Sequence, residues 1–343
     1  MNPLRLLGPF PPPYGGVAVH LVRLLEALRG KGLAAEGLSQ GGVPDGVTHV
    51  RRVGVFDLVR RSPIHYHTDE GNARWMMLFG AAWRLLGVPY VVTVHSFRDR
   101  PEFRRRSWTR QLRNAYRGAR AVVAISEDVR ADLVDRLALD PASITVIGSD
   151  LPISRWEYAA PLPAALPERW RTAAVRVVVN AGRLVRYNGQ DLYGMDLVAQ
   201  AVEGLPDDVA TALVVGEIVD QELLAFLHDA ASRNPQLMIV RNLDGPLLPV
   251  VAHAHIVVRP TRTEGGRSLT LTEALELGRW AIGSDAVERP GGTRLFESGS
   301  VEALRQVLHD VVLEVQHGRM PECVQAPAYS VDELLAVYRR SFS

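Results

Sequence analysis

Cysteine, lysine and aromatic residues are scarce in this chain of 343 residues. Cys323 is its only cysteine, which excludes an internal disulfide and a cysteine metal cluster and fits a reducing, cytoplasmic setting. Lys31 is the only lysine, so arginine carries the other 38 basic charges. No stretch approaches the roughly 18 uncharged apolar residues that a membrane-spanning helix requires. Met1–Gly8 places Arg5 inside its apolar run and leads into a Pro/Gly cluster, the mark of a first strand rather than a signal peptide. There is no low-complexity tract and no repeat of solenoid period. What is present, 47% hydrophobic and 22% charged residues, is an ordinary globular composition, and the length suits two α/β domains.

The net charge of +1 conceals a division. Residues 1–150 hold 21 basic and 14 acidic side chains, whereas the remainder holds 18 and 24. Codon bias accounts for the preference for arginine over lysine, but the split of sign suggests that the N-terminal half meets something anionic. The densest stretch is Arg98–Arg120, with nine arginines against Asp99 and Glu102.

Strand and helix patterns alternate along the whole sequence. Apolar runs at 4–8, 62–67, 89–95, 121–126 and 143–148 predict strands, separated by helical stretches such as VAVHLVRLLEALRG and the Ser-capped SEDVRADLVDRLAL. A second series starts at VRVVVNAGR and continues through TALVVGE, QLMIVRN, HIVVRP and WAIGSD. Strands separated by helices imply parallel sheets with helices on both faces. A Pro- and Ala-rich stretch without clear periodicity separates the two series. The expected organisation is an N-terminal Rossmann-like domain at 1–155, a linker at 156–173, a C-terminal Rossmann-like domain at 174–325 and a closing helix within 326–343.

In open α/β sheets, ligands gather at the carboxyl ends of the strands. After the first strand comes PFPPPYGGVAVH, where Gly15 and Gly16 precede a helix; its free N–H groups and dipole favour an anion, although a plain tight turn has the same signature. No segment supplies the G-x-G-x-x-G dinucleotide fingerprint, so hydride chemistry loses its main support. The second such strand end is VRPTRTEGGRSLTLTEALELG. Glu264, Gly265, Gly266, Arg267, Ser268 and Glu273 combine free amides for a diphosphate with carboxylates for sugar hydroxyls. Thr270 with Glu273 also matches a capping box, and the two roles are compatible.

Five segments in order, PPPYGGVAVH, VVTVHSF, AVVAISEDVRADL, NAGRLVRYNGQDLYGMDL and VRPTRTEGGRSLTLTEALELG, resemble retaining GT-B glycosyltransferases of family 4 over nearly the whole chain. That resemblance implies an α/β fold of two Rossmann-like domains facing across a cleft. It places a nucleotide-sugar donor, UDP- or GDP-linked, on the C-terminal domain and an acceptor on the N-terminal one, with YSVDELLAVYRRSFS crossing back. Arg183 matches the arginine that holds the donor phosphates. Asn188 stands where the family has a lysine, leaving Arg186 or Arg267 as replacements. Glu264 and Glu273 match the two glutamates for donor sugar and ribose, but eight residues separate them here instead of seven. Gly15 and Gly16 match the diphosphate loop, and His95 matches a histidine lining the acceptor side.

His67 is expected to border the same region. His65 and His67 alternate on one strand, but without cysteines or a helical His-x3-His, no metal site is expected. His253 and His255 are expected to be structural. No Asp-x-Asp motif is visible, so arginine and amide dipoles are expected to neutralise the diphosphate, with neither metal nor cofactor and with activity surviving chelation. The expected acceptor is a glycan, a lipid-linked sugar or a small molecule, as in cell-surface polysaccharide or glycolipid assembly. Within Arg98–Arg120, Trp108, Leu112 and Tyr116 fall on one helical face, suited either to an anionic bilayer at the inner face of the plasma membrane or to the domain core. A sugar-nucleotide epimerase and a non-catalytic nucleotide-sugar-binding relative remain alternatives. Nucleic acid is disfavoured by the near-neutral total charge and the lack of an aromatic platform.

Overall fold

The computed structural model describes residues 2–50, 62–241, 243–263, 268–321 and 330–342. The chain divides into two compact units, residues 1–154 with 328–343, and residues 155–327.

The first unit contains strands β1 (Leu4–Gly8), β2 (Ala35–Ser39), β3 (Val47–His49), β4 (Ile64–Thr68), β5 (Tyr90–Val94), β6 (Ala121–Ala124) and β7 (Ile144–Val146). They pair in parallel in the order β3-β2-β1-β4-β5-β6-β7. Every residue of β1, β4 and β5 is buried. Helices cover both faces of a parallel sheet, which is why its central strands are continuous apolar runs rather than alternating ones. Helices α1 (Gly16–Gly30), α2 (Ala73–Leu86), α3 (Arg106–Arg117) and α4 (Glu127–Leu137) connect them. In α1, Leu21, Leu24, Leu25 and Leu28 form the buried stripe that a period of 3.6 residues requires. Ser126 caps α4 by accepting from the Val129 amide, as its sequence signal indicates. Helix α3 turns Leu112 and Tyr116 fully into the core, with Trp108 packed beside them. The apolar stripe of the arginine-rich stretch therefore packs into the core.

The second unit contains β8 (Val175–Leu184), the hairpin strands β9 (Arg186–Tyr187) and β10 (Gln190–Asp191), β11 (Val209–Ile218), β12 (Leu237–Arg241), β13 (Ile256–Arg259), β14 (Trp280–Ser284) and β15 (Arg294–Phe296). Its parallel sheet runs β12-β11-β8-β13-β14-β15, the Rossmann order 3-2-1-4-5-6 counted within the unit. Its helices are α5 (Arg155–Ala159), α6 (Glu168–Thr172), α7 (Met195–Ala201), α8 (Gln221–Arg233), α9 (Leu248–His253), α10 (Leu269–Glu276) and α11 (Val301–Gln316). The stretch expected as a linker thus holds α6 and most of α5. Trp170 of α6 is fully buried and donates its indole N–H to the Val177 carbonyl at 2.9 Å, so its irregular pattern belongs to a packed segment of this unit. Helix α12 (Val331–Phe342) returns to the first unit, where Val331, Leu334, Val337 and Tyr338 join a cluster with Leu4, Leu6, Val91 and Val123.

Candidate functional site

Each sheet reverses its strand order once, between β1 and β4 in the first unit and between β8 and β13 in the second, and a ligand crevice is expected outside the carboxyl ends at such a point. In the first unit, Gly15 is the N-cap of α1 with an extended backbone, and Gly16 opens the helix. A Cβ at either position would meet nothing within 4 Å. Neither backbone angle nor packing demands glycine there, and the free space fronts the open amides of a helix N-terminus.

Four histidines converge beneath that loop. His67 Nδ1 lies 3.0 Å from His95 Nε2, and His67 Nε2 lies 3.3 Å from His65 Nδ1. His65 is held further by the Tyr338 hydroxyl at 2.6 Å and Thr93 Oγ1 at 2.7 Å. His20 of α1 packs edge-on against His95 with ring centroids 4.9 Å apart, and its Nδ1 lies 3.3 Å from the Ser149 carbonyl. Burial drives all four toward the neutral form: His20 is lowered to about 4 and His65 to about 3, while His67 and His95 sit well below the ordinary value. The structure thus brings His67 and His95 together, as their strand-end positions suggested. It adds His20, which lies on a helix whose apolar period gave no hint of a site.

Acidic groups also stand here. Glu70, just past β4, accepts from the Ser96 hydroxyl at 2.6 Å and from Arg98 at 3.1 Å. Burial pushes its carboxyl up, but the Arg98 guanidinium and the Ser96 hydroxyl outweigh that and hold it below its ordinary value. Burial raises the neighbouring Asp69, which caps a short turn through the Asn72 amide at 3.0 Å. Both follow β4, the strand paired with the one that leads to His95.

In the second unit, Arg183 ends β8 half-exposed and pairs with Glu217 of β11 at 2.8 Å. Arg186 meets Asp220 at 3.0 Å and Glu222 at 3.3 Å. Asn188 and Gly189 are the two residues of the β9–β10 turn, with φ of 51° and 78°. Asn-Gly is the preferred pair for such a type I′ turn, which gives Asn188 a local reason to be there. Ser268 caps α10 by accepting from the Leu271 amide, so Thr270 lies inside the helix and the Thr270–Glu273 capping box does not form. Glu273 is buried on the same helix. Glu264, Gly265, Gly266 and Arg267 lie outside the described residues.

The segment leading into that turn is braced by residues that local spacing did not reveal. Arg262 forms a two-pronged bond to Asp196 at 2.8 and 3.0 Å, across 66 residues of sequence. Buried Arg289 donates to the Thr261 and Ser284 hydroxyls, each at 2.9 Å. Gly194, at φ 69°, sits where a Cβ would stand 2.1 Å from the Pro260 carbonyl oxygen, so only glycine permits this approach. As expected, His253 and His255 are structural: His253 bonds the Pro249 carbonyl and His255 accepts from the Arg176 amide.

Residues 56–149 match the family model for Glycosyltransferase Family 4. No curated protein matches the chain by sequence. Among solved structures, Alr3699/HepE of Anabaena, determined with UDP and glucose, is 16% identical with a TM-score of 0.67, covering 99% of this chain and 96% of its own. The catalytic domain of starch synthase IV from Arabidopsis thaliana, bound to ADP and acarbose, is 13% identical with a TM-score of 0.67 and 99% of both chains covered. WaaG, a glycosyltransferase involved in lipopolysaccharide biosynthesis, is 13% identical with a TM-score of 0.64, covering 99% of this chain and all of its own. The chain resembles these structures from end to end and has a GT-B fold, and within it residues 56–149 match the Glycosyltransferase Family 4 model.

Proposed function

We propose that this protein is a retaining glycosyltransferase that moves a hexose from a UDP- or GDP-linked donor to an acceptor hydroxyl. The supporting observation is a GT-B fold over the whole chain, with arginines gathered where β8 ends in its second unit. Arg183 and Arg186 would hold the donor diphosphate by exchanging carboxylate partners for phosphate oxygens. Exposed ion pairs contribute little to stability, so giving them up costs little. Glu273, with Glu264, would accept from ribose and sugar hydroxyls, and His67 and His95 would line the acceptor side. In the transfer, a bond forms between the acceptor oxygen and the anomeric carbon while the bond from that carbon to the diphosphate breaks. The acceptor's proton passes to the leaving diphosphate on the same face, which retains configuration. Arginine and amide dipoles stabilise the developing phosphate charge, so added magnesium or manganese is not required.

The acceptor class fits cell-surface polysaccharide or glycolipid assembly, with the enzyme in the cytoplasm and in contact with an anionic inner membrane face. No helix among the described residues is long and apolar enough to cross a bilayer. The test is incubation with radiolabelled UDP- and GDP-hexoses, with and without acceptors. Turnover that requires an acceptor supports transfer. Interconversion of the donor alone points to an epimerase, and binding without turnover to a non-catalytic relative. Activity that is lost without magnesium or manganese and restored by either would overturn the metal-free step at the diphosphate.

A further inference from the structure

We propose that His20, His67 and His95 form a three-histidine site for one divalent transition-metal ion, zinc by its donor set, with a fourth position open to solvent or an oxygen ligand. All three side chains are buried, and one ring nitrogen from each lies within 4.8 Å of the others. A tetrahedral zinc site with Zn–N of about 2.0–2.1 Å sets its nitrogens about 3.4 Å apart. The 3.0 Å between His67 Nδ1 and His95 Nε2 is already close to that separation.

The hydrogen bonds favour the lone pairs such a site needs. The Ser149 carbonyl can only accept, so the proton of His20 belongs on Nδ1, and Nε2 is left with its lone pair. That Nε2 is buried and has no hydrogen-bond partner. An orphaned buried acceptor in a packed core is costly, and a metal ion would satisfy it. His67 Nε2 lies 3.3 Å from His65 Nδ1, and a proton on Nε2 would set the His67 lone pair on Nδ1, 3.0 Å from His95 Nε2. His65 and Tyr338 would then act as the outer partners that fix a ligating histidine's tautomer and orientation. With no thiolate in the set, imidazole donors suit zinc, and also cobalt or nickel as probes. His67 stands in β4 and His95 just past the end of β5, and His95, the most accessible of the three, is 8% exposed.

The competing arrangement is a metal-free chain in which His95 Nε2–H donates to His67 Nδ1. The test uses the full chain, stripped with EDTA, freed of chelator and titrated with cobalt chloride. The expected result is one cobalt per chain, with the intense visible bands of four-coordinate cobalt, displaced by equimolar zinc. His20→Ala and His95→Gln should each weaken zinc affinity by at least ~100-fold, more than an outer-partner mutation does. Circular dichroism of the metal-free variants checks that they fold, and the second variant serves if the first does not. His253→Ala, in the other unit, should bind as wild type does. Failure of wild type to bind cobalt saturably at one per chain overturns the proposal, as does binding that folded His20→Ala or His95→Gln leaves unchanged. The outcome does not depend on glycosyl transfer.

Discussion

Arg183 is a guanidinium with a replaceable partner. Its bond to Glu217 joins two half-exposed side chains, an arrangement that contributes little on its own and leaves the charge available to a doubly negative ligand. Arg183→Ala is expected to lower turnover about 10²–10³-fold, the usual cost of one lost stabilising group, with little change in thermal stability. Near-wild-type kcat/KM would remove it from the donor site. Glu273→Gln should weaken donor and free nucleotide alike, because ribose is common to both; titration calorimetry showing unchanged nucleotide affinity would end that assignment. Glu70 makes a different prediction. Its carboxyl is held below its ordinary value of 4.5, so the Arg98 pair stabilises the fold fully above that pH and the contribution is lost as pH falls through the lowered folded value. Glu70→Gln leaves Arg98 without its charge partner and should cost about 2 kcal/mol at neutral pH, at the low side for a buried pair because Arg98 is partly exposed. Urea titrations at neutral and acid pH should show this cost shrinking with acidity, and a constant difference would contradict the pairing.

At the scale of elements, the arginine-rich helix α3 takes the core alternative that its amphipathic pattern left open, and its neighbour α2 presents apolar groups outward. Leu112 and Tyr116 face the core, while α2 exposes Trp75, Leu78 and Leu85 to solvent. Trp75, Phe79 and Trp83 stack along α2, with centroids 5.4 and 5.3 Å apart, running from the exposed end to the buried one. A peripheral contact would therefore use apolar groups of α2 together with the exposed Arg104, Arg105 and Arg106. Basic residues near an anionic surface add about 1 kcal/mol each and are screened by salt. The chain should co-sediment with phosphatidylglycerol vesicles at low salt, and reversing those three arginines to glutamate should abolish binding. Indifference of wild type to such vesicles would favour a soluble acceptor. Near the proposed donor site, Gly194→Ala should cost more than ~1 kcal/mol by thermal denaturation, since both the positive φ and the Pro260 carbonyl oppose a side chain.

These elements were legible to different degrees. The buried central strands β1, β4, β5, β8, β11, β13 and β14 announce themselves as apolar runs, because helices on both faces leave them no polar side. Short edge strands such as β3 and β15 have no such run and pass for loop. His67 and His95 could be proposed because each stands at a strand's carboxyl end, a local property, whereas Arg183 was singled out by the family resemblance. His20, Glu70, Arg262 and Tyr338 owe their roles to partners far along the chain, which no spacing encodes.

For the whole molecule, the first unit is assembled from two separated pieces of sequence, with α12 completing it after the second unit has intervened. Tyr338 joins the apolar cluster around Leu4 and Leu6 and its hydroxyl also bonds His65 Nδ1, so the last helix supports both packing and the histidine network. Lys31 reaches Asp332 at 2.8 Å on the surface of the same junction. During synthesis, residues 331–342 emerge only after every strand of the second unit has left the ribosome. The downstream unit can therefore close around its own core while the upstream one still waits for its final side. For that interval Leu4, Leu6 and His65 lack their partners from α12, so a nascent chain arrested before that helix would present an adhesive face to chaperones and proteases although most of its sequence is already made.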